Sequence, residues 1–117
     1  MADNRKYYYL KLKENFFDSD SIVLLEDMKD GILYSNILLK LYLKSLKNGG
    51  RLQLDEHIPY TAQMIATLTR HQIGTVERAL AIFQQLGLVE QLDCGLLYMT
   101  DIELMIGQSV SYTHLRA

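Results

Sequence analysis

Apolar and polar positions recur along this chain with periods that predict a series of short elements. Residues 7–12 are aromatic and β-prone, with leucines alternating against Lys11 and Lys13, which predicts a strand. Asp18, Ser19 and Asp20 are helix-capping types and precede a short helix over 22–29. Asp30-Gly31 breaks it. The segment 32–46 is the most strongly patterned. Its polar residues Asn36, Lys40, Lys44 and Lys47 fall at steps of four, four and three, which is one helix stripe, and almost everything else is apolar. So wide an apolar surface predicts a helix buried on most sides. Such a helix is either the centre of the core or a core helix that also packs on a partner chain. Asn48-Gly49-Gly50 ends it.

The second half carries weaker but regular signals. Arg51-Leu52-Gln53-Leu54 alternates as a short strand, and 55–60 reads as a loop with the only proline. Thr61 is a cap for a helix over 62–69, with Ile65 and Leu68 facing the core. Residues 70–74 read as a turn, and Thr75 as the cap of a helix over 76–86. Val76, Ala79, Leu80 and Phe83 of that helix face inward, and Glu77 sits in the first turn, where the dipole favours an acid. Gly87 stops the helix. Residues 88–92 and 96–100 read as strands joined by the compact connection Asp93-Cys94-Gly95. Asp101 caps a last helical turn through 106, and Gly107 ends the pattern. The predicted organisation is one domain over 1–107 followed by a polar linker or tail over 108–117.

From residue 32 onward the order is helix, strand, helix, helix, strand, strand, with a tight turn between the second and third helices. The fold class this predicts is α+β, mainly helical: a winged helix-turn-helix with an extra N-terminal strand and short helix. The helix over 75–86 is then the recognition helix. Winged helices also serve as protein-docking modules, so the order alone does not fix a function.

Charge sharpens this picture. Residues 1–51 hold nine basic and seven acidic side chains, a net of +2, whereas residues 52–104 hold Arg70 and Arg78 against seven acids, a net of -5. The net charge of -2 over the 117 residues excludes a uniformly basic nucleic-acid-binding surface. The asymmetry points instead to a polarised one. A single Cys forms no internal disulfide, which suits a reducing compartment. No apolar run approaches the ~18 residues of a membrane span, and the start has no secretory pattern. The expectation is a cytoplasmic protein with no membrane partner.

Particular stretches bear a further likeness. The start RKYYYLKLKENFF, then SLKNGGRLQL, then HIPYT, then ERALAIFQQLGLVEQLDCGLLYMTDIELMIG together resemble the N-terminal domain of phage replisome organisers. That domain is similar to the N-terminal winged-helix domain of bacterial DnaD-type primosomal proteins. The resemblance covers roughly residues 5 to 107 and rests mostly on core and turn residues; the end SYTHLRA does not share it. It implies a part in starting phage DNA replication within a bacterial host. Such proteins bind or remodel origin DNA and bring a helicase loader or helicase to it. It also implies a second, C-terminal region after a linker, which is not among these residues.

Two sets of residues are candidates for DNA. If the helix over 75–86 enters the major groove, its outward positions are Thr75, Glu77, Arg78, Ala81, Gln84 and Gln85. The turn before it offers Arg70, His71 and Gln72; Arg78 could read guanine, and Thr75, Arg70 and Gln72 could hold phosphates. Glu77 and Asp93 at the wing tip oppose such contact. The second set is the stripe Lys40, Lys44, Lys47 and Arg51, with Lys11 and Lys13, which could follow a phosphate backbone nonspecifically. The bland alternative is that all of these are solvent-facing positions on a domain used for assembly. Assembly has its own signal. Tyr7 and Tyr9 share one strand face with Tyr8 on the other, Phe16 and Phe17 follow, and the helix over 32–46 is more apolar than one small core needs. These features point to a homo-oligomer. The tyrosines could also stack single-stranded DNA, though packing within the strand is the simpler role.

Nothing points to an enzyme. His57, His71 and His114 are scattered without ligand spacing, and Cys94 has no histidine placed to activate it. No glycine-rich phosphate loop exists. No catalytic residue, metal or cofactor is therefore expected. The reading is a non-enzymatic replication-initiation domain that binds origin DNA weakly by itself and self-associates. The alternatives are a docking module with no DNA contact, or a winged-helix transcription regulator.

Overall fold

Residues 6–110, which the computed structural model describes, begin with strand β1 (Lys6–Leu10). Its alternation is real: Tyr8 and Leu10 turn toward the core, while Tyr7 and Tyr9 stay exposed. A short 3-10 turn, Phe16–Asp18, leads to helix α1 (Asp20–Asp27). Ser19 stands at its N-cap, but its hydroxyl donates back to the Phe16 carbonyl (3.1 Å) rather than capping the helix. Asp30 then adopts the left-handed conformation (φ 65°) and helix α2 (Gly31–Ser45) starts.

Gly31 explains how α1 and α2 approach so closely. A Cβ there would lie 2.4 Å from the Glu26 carbonyl oxygen and 2.6 Å from that of Leu25. Only glycine lets the backbone of one helix start against the end of the other. The tight join presses Ile22 and Leu25 of α1 onto α2, and both are fully buried.

Helix α2 is the centre of the fold. It packs against α1, β1 and the later elements, and buries Tyr34, Ile37, Leu38, Leu41 and Tyr42. It does not bury its whole apolar surface: Ile32, Leu33 and Leu43 are 69%, 40% and 54% exposed. Its inward serines cost nothing in unpaired groups. Ser45 donates to the Tyr42 carbonyl (2.9 Å) and Ser35 to that of Ile32 (3.1 Å), the local back-bonding available to a short hydroxyl in a helix.

After a 3-10 turn (Leu46–Asn48) and Gly49, strand β2 (Arg51–Asp55) enters a sheet. The 55–60 segment is not the plain loop its polar residues and proline predict. It contains strand β3 (Ile58–Pro59), paired antiparallel with β2, and the Asp55 carboxylate accepts the His57 N–H (2.8 Å) across the turn. The proline is tolerated because β3 is an edge strand, where its missing N–H breaks no ladder.

Helix α3 (Ala62–Thr69) starts where Thr61 predicts, its side chain accepting the Met64 N–H (3.1 Å). Ile65 is buried, but Leu68 is 39% exposed and not a core residue. Helix α4 (Ile73–Gln85) starts three residues earlier than the capping pattern suggests, with Gln72 at the N-cap. Thr75 lies inside it and is buried, and Glu77 falls beyond the first turn, away from the free N–H groups. Arg70 in the left-handed conformation and the His71 N–H on the Ala66 carbonyl (3.1 Å) close α3 within two residues, so the chain is already aimed into α4. Burial of Thr75 overrides its capping preference. Val76, Ala79, Leu80 and Phe83 face inward as their spacing predicts.

Strands β4 (Val89–Gln91) and β5 (Leu97–Met99) form a hairpin through Asp93–Gly95, and the four-stranded antiparallel sheet has the order β3-β2-β5-β4. Asp101 makes no side-chain cap to the 3-10 turn Ile102–Leu104 that follows. Gly107 does not end the ordered structure. Strand β6 (Ile106–Val110) pairs along the whole of β1 as a second, two-stranded antiparallel sheet. The Tyr9 ring lies over Gly107, where a Cβ would come within 2.2 Å of it. A run such as Gly-Gln-Ser has no strand pattern of its own; its order comes from pairing with the opposite end of the domain. Residues 111–117 lie outside those described.

Gly31→Ala is expected to destabilise the fold by about 1–3 kcal/mol, since backbone, not a flexible side chain, stands in the way. Gly74→Ala, in ordinary contact with Arg78 at 3.5 Å, should raise stability by up to about 1 kcal/mol through helix propensity. Chemical denaturation monitored by circular dichroism checks both.

Candidate nucleic-acid interface

The two predicted basic sets are remote in sequence, and the fold joins Lys40 of the second to the α3–α4 turn that carries the first, while Lys11, Lys13 and Arg51 lie elsewhere. Three side-chain ties link α2 to the α3–α4 unit. Lys40 donates from Nζ to the Thr69 carbonyl at 2.7 Å. The Asn36 Oδ1 lies 2.8 Å from Nε2 of His71. Arg78 donates from Nε to the Tyr34 hydroxyl at 3.4 Å, and from Nη2 to the Thr75 hydroxyl at 3.5 Å. The polar stripe of α2 therefore runs into the turn before α4, and none of these ties has a signal in local periodicity.

The Lys40 tie has a plain physical cause. The last carbonyls of a helix lack intrahelical partners and carry the negative end of its dipole. Lys40, half-buried, places its ammonium on the last residue of α3. The Thr69 hydroxyl is buried and donates to the Ile65 carbonyl (2.7 Å), while the Thr69 carbonyl, at the end of α3, takes the Lys40 ammonium. Arg70, next in line, is exposed with φ 63°. His71 is half-buried, and its imidazole is held below its ordinary value of 6.5, first by burial and then by the Lys40 charge. Gln72 is exposed.

The remaining candidates divide. Arg78 is exposed and tethered, with Glu77, Ala81, Gln84 and Gln85 also on the outer face of α4. Thr75 is 7% exposed and receives the Arg78 contact, so its hydroxyl is turned away from any ligand that approaches α4. Lys44 and Lys47 are exposed along the α2 stripe. Arg51 starts β2 and pairs in register with Tyr98 of β5. Its surroundings are acidic. The Tyr98 hydroxyl is raised above its ordinary value of 10.0 by burial first, then by Glu103 and Glu90, with Arg51 pulling the other way. The β4–β5 hairpin thus presents Glu90 and, at its tip, exposed Asp93 and Cys94. That acidic charge disfavours a polyanion at the hairpin.

Among the described residues, no three His, Cys, Asp or Glu side chains gather in a way that could hold a metal ion. No helix among the described residues is long and apolar enough to cross a membrane.

The class is therefore a small α+β domain, with four helices and two antiparallel sheets among the described residues. A family model for the N-terminal phage replisome organiser domain matches residues 9–114, and the chain belongs to that family. The match runs past Gly107 and so takes in most of the segment that reads as a linker. Neither a curated protein nor a solved structure matches the chain.

Lys40→Met should lower stability by about 1–3 kcal/mol, the usual worth of a hydrogen bond to a charged group. In an NMR titration, His71 should protonate below 6.5 and move back up in Lys40→Met. A lowered folded value means that the folded state prefers the neutral ring. The contribution of His71 to stability is therefore full at neutral pH, falls as pH drops through 6.5, and levels off below the folded value.

Proposed function

We propose that this domain acts at the start of phage DNA replication in the host cytoplasm. It holds duplex DNA weakly, associates with copies of itself, and helps bring a helicase loader or helicase to the origin. Membership of the replisome organiser family supports the replication role. The order of elements from α2 onward and the sheet order β3-β2-β5-β4 support a winged-helix reading, with α4 as reader and the β4–β5 hairpin as wing.

One observation carries the DNA reading: the ties Lys40–Thr69 and Asn36–His71 put the α2 stripe beside the α3–α4 turn. Lys44, Lys47, Arg70 and Arg78 then act as the phosphate contacts, and Lys40 mainly fixes the turn. Gln72 and His71 flank them. Arg51 contributes least, because Glu90 and Glu103 lie close to its β5 partner. Thr75 acts through Arg78. So few free cations give weak affinity per copy, and self-association compensates by multiplying contacts.

A second reading, docking without DNA contact, draws on the exposed apolar residues. Tyr7 and Tyr9 of β1 are 46% and 50% exposed, and Val23, Leu24 and Ile32 at the α1–α2 join are 51%, 56% and 69% exposed. These surfaces suit a protein partner or a second copy.

A salt titration of binding to double- and single-stranded DNA, with light scattering on the same sample, separates the readings. The DNA reading expects binding at low salt that weakens steeply as salt rises. Replacing Arg70 and Arg78 with Ala should reduce the slope by about one unit per lost phosphate contact. A stable oligomer with no DNA bound at low salt would establish the docking reading instead.

A further inference from the structure

An open cleft of about 460 Å³ lies away from the α3–α4 turn, between the segment that follows β1 and the segment that follows β5. Lys11, Lys13 and Asp18 line one wall; Thr100 and Asp101 line the other. The floor is aromatic. Phe16 is half-buried and meets the Tyr42 ring edge-to-face with centroids 6.3 Å apart, and Phe17 likewise at 5.1 Å. Leu104, 78% exposed, stands at the rim. The Lys11 N–H donates to the Met105 carbonyl (2.7 Å), which fixes the two walls to each other. The volume is that of a small-ligand site.

We propose that this cleft binds one nucleotide unit, either as a free nucleotide or as part of a single strand. The lining carries two lysines and two aspartates, so it is no general trap for anions or cations. An acidic peptide would meet Asp18 and Asp101, and a basic one Lys11 and Lys13. A nucleotide presents three chemistries together that match the three parts of the lining. Its phosphate suits the exposed ammonium groups of Lys11 and Lys13. Its base suits the apolar surface of Phe16, Leu104 and Met105. Its exocyclic amine or sugar hydroxyl donates to a carboxylate such as Asp101. Burial first, and then the Asp101 carboxylate, pushes the Tyr42 hydroxyl up to about 12, which puts that carboxylate beside the floor of the cleft. The inference does not rest on the duplex surface at the α3–α4 turn and shares no residue with it.

The test titrates the domain with dAMP, with a labelled oligothymidine and with inorganic phosphate, using calorimetry and fluorescence anisotropy. The expected result is that dAMP or oligothymidine binds more tightly than phosphate. Lys11→Ala with Lys13→Ala should weaken binding by about tenfold or more. For the oligonucleotide, the salt slope should fall by about 0.7 per lysine. Leu104→Ala, which removes an exposed side chain, should weaken base-containing ligands and leave phosphate unchanged. Arg70→Ala with Arg78→Ala should leave dAMP binding in the cleft unchanged, which separates this site from the duplex surface. Binding of dAMP identifies a free-nucleotide site; binding of oligothymidine alone identifies a single-strand site. Absence of both at low salt overturns the proposal. So does binding that survives the double lysine substitution, or a cleft that takes a polypeptide and no nucleotide.

Discussion

Helix α2 needs cover along one broad face, and several other elements each supply a part of it. Tyr34, Ile37, Leu38, Leu41 and Tyr42 recur at helical spacing along one broad face of α2, and all are buried. Each such side chain is worth about 1.5–3 kcal/mol when removed from water. At 15 residues, α2 outruns α1 and α3, each of 8 residues, so neither covers that face alone. The α1 helix covers one side through Gly31, the α3–α4 pair another, and the sheet contributes Leu52 and Met99, both fully buried. The arrangement of the domain follows from this one helix, and so does the position of every polar group on its remaining stripe.

That stripe serves two ends. Asn36 and Lys40 are consumed in holding the α3–α4 turn, at 2.8 Å and 2.7 Å from their partners. A lysine on the last carbonyl of a helix stabilises that helix, but its charge is partly neutralised for any other use. The cations free to meet a phosphate backbone are then few, and the acidic β4–β5 hairpin narrows the approach further. In the proposed DNA-binding role, affinity would come from repetition, not from charge density. Exposed apolar residues on β1 and around the α1–α2 join are compatible with that strategy.

The β1–β6 ribbon gives the domain its second sheet by bringing residues 6–10 and 106–110 into register. The chain that leaves β1 and the chain that enters β6 meet at Lys11 and Met105, and the cleft opens beside that junction. Strand pairing between distant segments thus creates a concave, chemically mixed surface that neither segment carries alone.

The sequence by itself determined the helices. Periodicity marks the inward residues of α2 and α4, Thr61 marks the start of α3, and the glycines mark most of the ends, because capping and amphipathicity are local properties. Its family resemblance is legible for the same reason: it rests on core and turn residues. Tertiary structure alone decided the rest. It buried Thr75 inside α4, left Leu68 in solvent, drew the proline into an edge strand and gave β6 an order that its own residues do not encode. It also decided the candidate site, by setting Lys40 on Thr69 and Asn36 on His71. Hydrogen bonds between remote groups and pairing of remote strands depend on which surfaces the core brings together, and no local pattern in the chain records that.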